Sequence, residues 1–220
     1  MPLPWRPMKR LAAALLVLAL VLAGVSLGAR GDPKQRISLV DQARAKAMLL
    51  RKSDFSLAFR AGPASTGADF YCAALDESDL TVKGQAESPS FFGGVEVVAS
   101  TAYVYVSRED ANASWRRGTS AAGQRCLRRG LQNEIQGTSV RLVSFRKLPF
   151  PAFAQRSVLY RVVGEQQGGA RIYLDLLALH HSRAQVAIVY GSALSPPPAA
   201  EERRIAKVTA ARMAKAMGGQ

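Results

Sequence analysis

The chain has 220 residues and carries 30 Lys+Arg against 16 Asp+Glu, a formal net charge of +14. Hydrophobic residues make up 48% and charged residues 21%, a balance that excludes an intrinsically disordered chain. This length accommodates a membrane segment followed by one domain of ordinary size.

The first thirty residues predict a position outside the cytoplasm. Arg6, Lys9 and Arg10 precede an uncharged stretch at 11–29, which as a helix would be about 28 Å long, close to the hydrocarbon thickness of a bilayer. We therefore expect a single-pass membrane protein with its C-terminal domain extracytoplasmic. The expected divisions are a cytoplasmic basic flank at 1–10, a transmembrane anchor at 11–29, a linker at 30–37 and an extracytoplasmic domain at 38–217.

A cleaved signal sequence is the alternative for the same segment. The small residues Ser26, Gly28 and Ala29 are suited to a cleavage site, and cleavage would release the domain as a secreted protein. The uncharged stretch is longer than the core of an ordinary signal sequence, which is roughly 7–15 residues. Length therefore favours the uncleaved anchor.

The two cysteines, Cys72 and Cys126, both follow the predicted anchor. An even number of cysteines in an oxidising compartment predicts one disulfide. It would close a loop of roughly 55 residues and contribute about 4 kcal/mol in the loop-entropy model. Neither a CxxC motif nor ligand spacing to His or Asp accompanies them, which argues against a redox or metal role.

The exported part is predicted to be one α+β domain. Alternating apolar residues predict strands, and capping residues predict helix ends. The short turns between consecutive strands favour an antiparallel sheet of about 5–6 strands sandwiched by helices. In chain order we expect a helix at 38–51, a loop at 55–69, strands at 80–88 and 95–106, a helix capped by Ser107 that breaks near Gly118, a helix at 121–133, strands at 140–147, 157–164, 171–180 and 184–192, and a helix at 199–217.

The last four strands carry apolar residues on both faces. The face assigned to the core holds Val140, Leu142, Val158, Tyr160, Val162, Ile172, Leu174, Leu176, Ala178, Val186, Ile188 and Tyr190. The other face sets Arg141, Arg161, Tyr173 and Asp175 among apolar residues that include Phe145, Ala187 and Val189. Two interpretations stay open for it. Either helices of the same chain cover it above a surface ion pair between Arg161 and Asp175, or those four polar residues line a ligand cleft.

The order of these segments resembles a known family. Cys72, the strand LTVKGQAES, the segment STAYVYVSREDANASW, CLRRGL around Cys126 and VRLVSFRKLPFP follow one another as in the PknH-type extracytoplasmic sensor domains of actinobacterial Ser/Thr kinases and their anchored or lipoprotein relatives. Those domains are similar to the PsbP-like fold, and the resemblance spans about 38–217. It implies a module with a cleft for a ligand or protein partner, no enzymatic activity, and a shared bridge at Cys72 and Cys126. The chain lacks the kinase domain and second disulfide of the kinase sensors.

No catalytic signature accompanies this pattern. His180 and His181 are adjacent at a predicted hairpin and are expected to be solvated. Asp76, Glu77 and Asp79 lack the spacing of a Ca²⁺ loop and are expected to form a solvated turn. The chain contains no P-loop, GxGxxG or GxSxG motif. We therefore predict no enzymatic activity, no cofactor and no metal.

The cations concentrate in the middle of the domain. Between residues 111 and 161 ten Lys or Arg stand against Glu134 alone. On an exported domain this charge predicts attraction to an anionic envelope polymer, lipid or protein partner, and not to nucleic acid. We expect a non-enzymatic, sensor-like or binding module. The alternative is an extracytoplasmic hydrolase or a lipid-binding envelope protein, and the latter would show an apolar cavity between the sheet and its helices.

Overall fold

The computed structural model describes residues 31–64 and 72–218. Within them the helices are α1 Leu39–Met48, α2 Arg108–Thr119, α3 Ala121–Glu134 and α4 Ala199–Met217. The strands are β1 Lys34–Gln35, β2 Arg60–Gly62, β3 Thr81–Glu87, β4 Ser90–Gly93, β5 Glu96–Tyr105, β6 Val140–Leu148, β7 Arg156–Gln166, β8 Arg171–His181 and β9 Ala184–Ala193. They form one sheet in the order β1-β3-β5-β9-β8-β7-β6, and β4 pairs with both β2 and β5.

The sheet is larger than expected. It has nine strands in the described part of the chain, so the prediction of about 5–6 strands is wrong. The additional strands are β1, β2 and β4, of 2, 3 and 4 residues, too short to show an alternating pattern. β1 pairs in parallel with β3, so the sheet is mixed. β2 falls inside the predicted loop at 55–69.

Serine side chains begin three of the helices. The Ser107 hydroxyl accepts a hydrogen bond from the backbone N–H of Asp110 at 3.0 Å, as the sequence predicts. Ser38 caps α1 and Ser120 caps α3 in the same way. Each cap satisfies a backbone donor that the first helical turn leaves without a partner. Ser120 also ends α2, which places the predicted break two residues beyond Gly118.

Helices cover both faces of the sheet. Helices α1 and α4 pack on the face here called the α1–α4 face, and α2 and α3 pack on the opposite, α2–α3 face. On the α1–α4 face Met48, Ile205 and Met213 are fully buried. Each such side chain contributes about 1.5–3 kcal/mol by leaving water. The main core therefore lies on this side.

The register of β9 corrects the assignment of faces. A two-residue turn at 182–183 pairs His181 with Ala184, so odd-numbered residues of β9 lie beside even-numbered residues of β8. Val186, Ile188 and Tyr190 were expected beside Leu174 and Leu176. They lie on the α1–α4 face instead, and Gln185, Ala187 and Val189 take their place.

A bulge in β6 makes a second correction. The register shifts between Leu142 and Ser144, and an extra residue in one strand turns the following side chains to the opposite face. Phe145 consequently lies on the α2–α3 face, where its ring stacks on Tyr160 with centroids 5.5 Å apart. Strict alternation along β6 predicts the other face for Phe145, and this prediction is wrong.

Two buried ion pairs attach α1 and α4 to their surroundings. Arg183, in the β8–β9 turn, donates to the Asp41 carboxylate in α1 at 2.6 Å. Arg212 of α4 donates two hydrogen bonds of 2.6 Å to Asp54. Burial by itself would raise the pKa of both carboxyls, but hydrogen bonds from the arginines outweigh it and lower both pKa values. These pairs fix the helix positions, because removing one partner would leave a buried charge uncompensated.

The predicted disulfide is present. Cys72 and Cys126 are bonded, 54 residues apart in sequence and with their Cα atoms 6.2 Å apart. The bridge joins the short 3-10 turn Ala73–Leu75 to the middle of α3. It therefore holds α3 against the segment that leads into β3.

Residues 31–64 and 72–218 contain no helix with both the length and the apolar character that crossing a bilayer requires. The predicted basic flank and anchor, 1–10 and 11–29, lie outside the described residues.

We expect the disulfide to be a main source of stability. Replacing both cysteines with Ala should lower the free energy of unfolding by up to about 4 kcal/mol, because the unfolded chain regains loop entropy. Denaturant unfolding of the wild type and the double variant measures the loss. Dithiothreitol should destabilise the wild type and leave the double variant unchanged. Equal stability of the two oxidised proteins would contradict this account.

Candidate functional site

A cavity of about 220 Å³ lies between the α2–α3 face of the sheet and the helices that cover it. Most of its lining is apolar. Trp115 of α2, Leu127 of α3 and Leu75 of the 3-10 turn form the helical wall. The volume is slightly below the range of roughly 300–1,000 Å³ that is usual for small-molecule pockets, so the cavity suits a small ligand or one segment of a larger one.

Short side chains form the floor of the cavity. Thr101 of β5, Ala187 of β9 and Ala178 of β8 are register neighbours in three adjacent strands. Ala187 is exposed although β9 lies inside the sheet with strands on both sides. The helices on this face therefore stop short of the floor, and the short side chains leave the gap unfilled. Register thus creates the cavity, because it brings the short residues of separate strands into one row.

A chain of hydrogen-bonded polar groups forms one wall. The Tyr105 hydroxyl donates to Glu77 at 3.1 Å and lies 2.8 Å from the Ser114 hydroxyl. Ser114 in turn lies 3.4 Å from the amide oxygen of Gln185. Glu77 is 4% exposed. Burial raises the pKa of the Glu77 carboxyl, although the hydrogen bonds from Ser114 and Tyr105 oppose the rise.

The acidic cluster at 76–79 is predicted to be a solvated turn, which is correct for Asp79 and wrong for Glu77. Glu77 points into the protein against Tyr105, whereas Asp79 is exposed and accepts two hydrogen bonds of 2.7 Å from Arg117. The spacing of Glu77 and Asp79 in the sequence does not show this difference in burial. It arises because the turn directs the two side chains to opposite sides.

The remaining ionisable groups of the cavity lining are one carboxyl and two phenols. Glu87 lies at the solvent-exposed rim, where partial burial of its carboxyl raises its pKa. Burial also raises the pKa of Tyr103. The Tyr160 hydroxyl is buried without a hydrogen-bond partner in the described structure. The lining contains no Lys, Arg or His, and the described residues hold no group of His, Cys, Asp and Glu suited to a metal ion.

The residues proposed for a ligand cleft lie on the opposite, α1–α4 face. Arg161 donates through Nε to Asp175 at 2.8 Å, and a second bond joins its terminal nitrogen to the same carboxylate. Asp175 is only 1% exposed, so this is a buried ion pair and not the surface pair of the covered-face interpretation. Tyr173 lies next to Asp175 on the same face of β8. Arg141 is exposed and bonds Glu165 at 2.9 Å, four residues along β7 from Arg161.

Glu202 is a member of this cluster that the sequence did not identify. It lies in the first turn of α4, 5% exposed, with its Oε1 at 3.7 Å from Arg161. Burial and the adjacent Asp175 carboxyl raise the pKa of Glu202 to about 9, against the influence of Arg161. An acidic residue in a first turn is ordinarily explained by the helix dipole. Only the docking of α4 shows that this one faces a second carboxylate.

His180 also departs from expectation. It lies at the end of β8, 2% exposed, with its ring 5.5 Å from that of Trp115. Burial, together with the charge of Arg156, lowers its pKa to about 4. It is therefore a buried neutral side chain and not a solvated turn residue.

Comparisons with known proteins identify no family. No family model matches the chain, and no curated protein matches it. Among solved structures, the X-ray structure of an uncharacterised protein from Mycobacterium smegmatis is similar, with 14% identity and a TM-score of 0.43. The match covers 79% of this chain and 97% of that one. A likeness of this strength carries no argument about function, and the resemblance to sensor domains stays a prediction.

The Glu202 cluster predicts a pH-dependent stability. Because the folded-state pKa of Glu202, about 9, exceeds its ordinary value of 4.5, the folded state binds more protons between these limits. The free energy of unfolding should therefore fall as the pH rises from about 5 towards 9, and Glu202→Gln should flatten the decline. Urea unfolding at several pH values measures the slope. Glu201→Gln, at the more exposed neighbouring position, is the matched control. Equal slopes for the wild type and Glu202→Gln would contradict the assignment.

Proposed function

We propose that this chain is a membrane-anchored, extracytoplasmic binding module that holds a small apolar or amphipathic ligand between its sheet and helices α2 and α3. The observation that carries the proposal is the row of short side chains at Thr101, Ala187 and Ala178, left open in the middle of a sheet. A gap of this kind forfeits packing and hydrophobic burial that longer side chains would supply. Occupation by an apolar ligand would restore both.

The charge of the lining favours one kind of polar group on the ligand. Glu77 and Glu87 are its ionisable carboxyls, and both have raised pKa values. An anionic head group would find no cation in the lining and would lose its hydration. A neutral hydroxyl or an ammonium group would instead meet a lining whose ionisable side chains are carboxyls and phenols.

A sensor-like role follows from the sequence rather than from the cavity. The resemblance to extracytoplasmic sensor domains and the predicted anchor at 11–29 support a tethered receptor outside the cytoplasm. The Cys72–Cys126 bridge fits an oxidising compartment. In this role the chain would bind its ligand without transforming it.

The basic residues would keep the domain close to an anionic envelope. Exposed cations on α3 and on the edge strand β6 are Arg125, Arg128, Arg129, Arg141, Arg146 and Lys147. Each contributes about 1 kcal/mol of attraction when it is close to an anionic membrane surface. On β6 the same charges also discourage pairing with another sheet edge.

A hydrolase is the second candidate. The observation that favours it is the pair of carboxyls with raised pKa, Glu77 and Glu87, at one cavity, since such groups can act as general acids. The binding role is preferred because Glu77 is already hydrogen-bonded by Tyr105 and the lining offers no His or Cys. Turnover of an added glycoside or ester that Glu77→Gln abolishes would establish the hydrolase instead.

Filling the cavity should prevent ligand binding. In a Trp5→Phe background Trp115 is the sole tryptophan. Energy transfer from Trp115 to the neutral fluorophore phenylnaphthylamine then measures binding of the fluorophore to the full chain in lipid nanodiscs. Ala187→Leu should weaken binding about tenfold or more, an effect of about 1.4 kcal/mol. Ala200→Leu, an exposed position in α4, controls for added apolar surface. Equal binding by both variants would overturn the proposed site.

The same assay should reveal the preferred head group. Octanol and octylamine should displace the fluorophore, whereas octanoate should compete at least about tenfold less well, because its charge would face carboxyls without a cation. Glu77→Gln together with Glu87→Gln should reduce the difference. Strong competition by octanoate in the wild type would show that the lining does not select against anions.

A further inference from the structure

A second pocket lies at His180, whose ring is 5.5 Å from that of Trp115 in the wall of the proposed cavity. It has a volume of about 250 Å³ and is lined by Arg108, Asn112, Gln155, Arg156, His180 and Ser182. It shares none of these residues with the cavity. Unlike the cavity, it is lined by polar and basic side chains. Helix α2, the segment before β7, and the β8–β9 hairpin each contribute to it.

Two buried polar atoms in this pocket lack partners. His180 is 2% exposed and Ser182 is 9% exposed, and neither His180 Nδ1 nor Ser182 Oγ makes a hydrogen bond in the described structure. Buried polar groups in folded proteins are nearly always satisfied by protein, water or ligand. Both residues line the pocket, so a polar occupant that reaches these two atoms would satisfy them.

The charge of the pocket indicates the sign of that occupant. Arg108 and Arg156 are exposed at its mouth, and neither forms an ion pair among the residues that the structure describes. No acidic residue lines the pocket. Gln155 accepts a hydrogen bond from the Ser182 backbone N–H at 2.8 Å through its amide oxygen, which leaves its amide nitrogen as a further donor.

We propose that this pocket binds a phosphate-type oxyanion, held by Arg108 and Arg156 at the mouth and by the Ser182 hydroxyl and His180 Nδ1–H at the base. Guanidinium groups match the paired oxygens of such an anion and form short, charge-assisted hydrogen bonds with them. The amide groups of Asn112 and Gln155 add neutral donors. The site is independent of the apolar cavity and of its proposed ligand.

The pKa of His180 distinguishes binding in this pocket from general attraction of phosphate to the basic surface. Phosphate bound elsewhere on the protein would not change it. Burial and the charges of Arg156 and His181 lower its pKa, and Arg108 approaches the pocket from α2. A bound oxyanion at the base opposes these cations and favours the imidazolium. The pKa of His180 should therefore rise when the site is filled.

The test is titration of the full chain, held in nanodiscs, with inorganic phosphate. Calorimetry measures the binding, and NMR of the imidazole measures the pKa of His180. Ser182 has φ +56°, so Ser182→Gly removes the hydroxyl without introducing backbone strain. Arg156→Gln and Ser182→Gly should each weaken phosphate binding by about tenfold, as expected for loss of a charge-assisted hydrogen bond. Arg171→Gln, an exposed arginine at the far end of β8, should bind as the wild type does.

Absence of saturable phosphate binding, or an equal loss in Arg171→Gln and Arg156→Gln, would overturn the proposal. An unchanged pKa of His180 at saturating phosphate would do the same. Two sources could supply the anion, a soluble phosphate or a lipid phosphate head group. The affinity for inorganic phosphate in neutral phosphatidylcholine nanodiscs is the reference. A lower affinity in nanodiscs that contain phosphatidic acid would show that the lipid head group reaches the site and competes for it.

Discussion

A sheet that is apolar on both faces must be covered on both faces, and the rest of this structure follows from that constraint. The four long strands β7, β8, β9 and β5 run side by side and offer apolar side chains in both directions. Leaving either face to water would forfeit about 25 cal/mol for each Å² of apolar surface. Two pairs of helices therefore flank the sheet. The two pairs are attached to it by different interactions.

On the α1–α4 face the attachment is electrostatic as well as apolar. Arg183 holds Asp41, Arg212 holds Asp54, and Arg161 lies between Asp175 and Glu202. These side chains lie beside a core in which Met48, Ile205 and Met213 are fully buried. The free-energy cost of removing these charged groups from water is offset only when the paired side chains are in contact. The helices must therefore adopt the positions that bring the pairs together.

On the α2–α3 face the attachment is looser. The Cys72–Cys126 bridge fixes α3 to the segment before β3, and Trp115 and Leu131 anchor separate apolar clusters with the sheet. Between these anchors the floor is made of short side chains. The unfilled space is the cavity, and the second pocket includes His180, whose ring lies 5.5 Å from that of Trp115. Both candidate sites thus include residues of the α2–α3 face.

Local patterns in the sequence predict the four helices, the six longer strands, the serine cap of α2 and the disulfide. Helix α4 occupies 199–217 as expected, and the long strands lie within two residues of their predicted bounds, because these signals are local. Tertiary structure decided which residues share a face, since the two-residue turn at 182–183 and the bulge after Leu142 each reverse the alternation. It also decided that Glu77, His180 and Glu202 are buried. Burial depends on what packs against a residue, and that partner lies 28 residues away for Glu77 and Tyr105. The excess of basic charge in the sequence does not extend to the cavity, whose lining carries two carboxyls and no Lys, Arg or His. The composition of that lining depends on which side chains the fold turns inward.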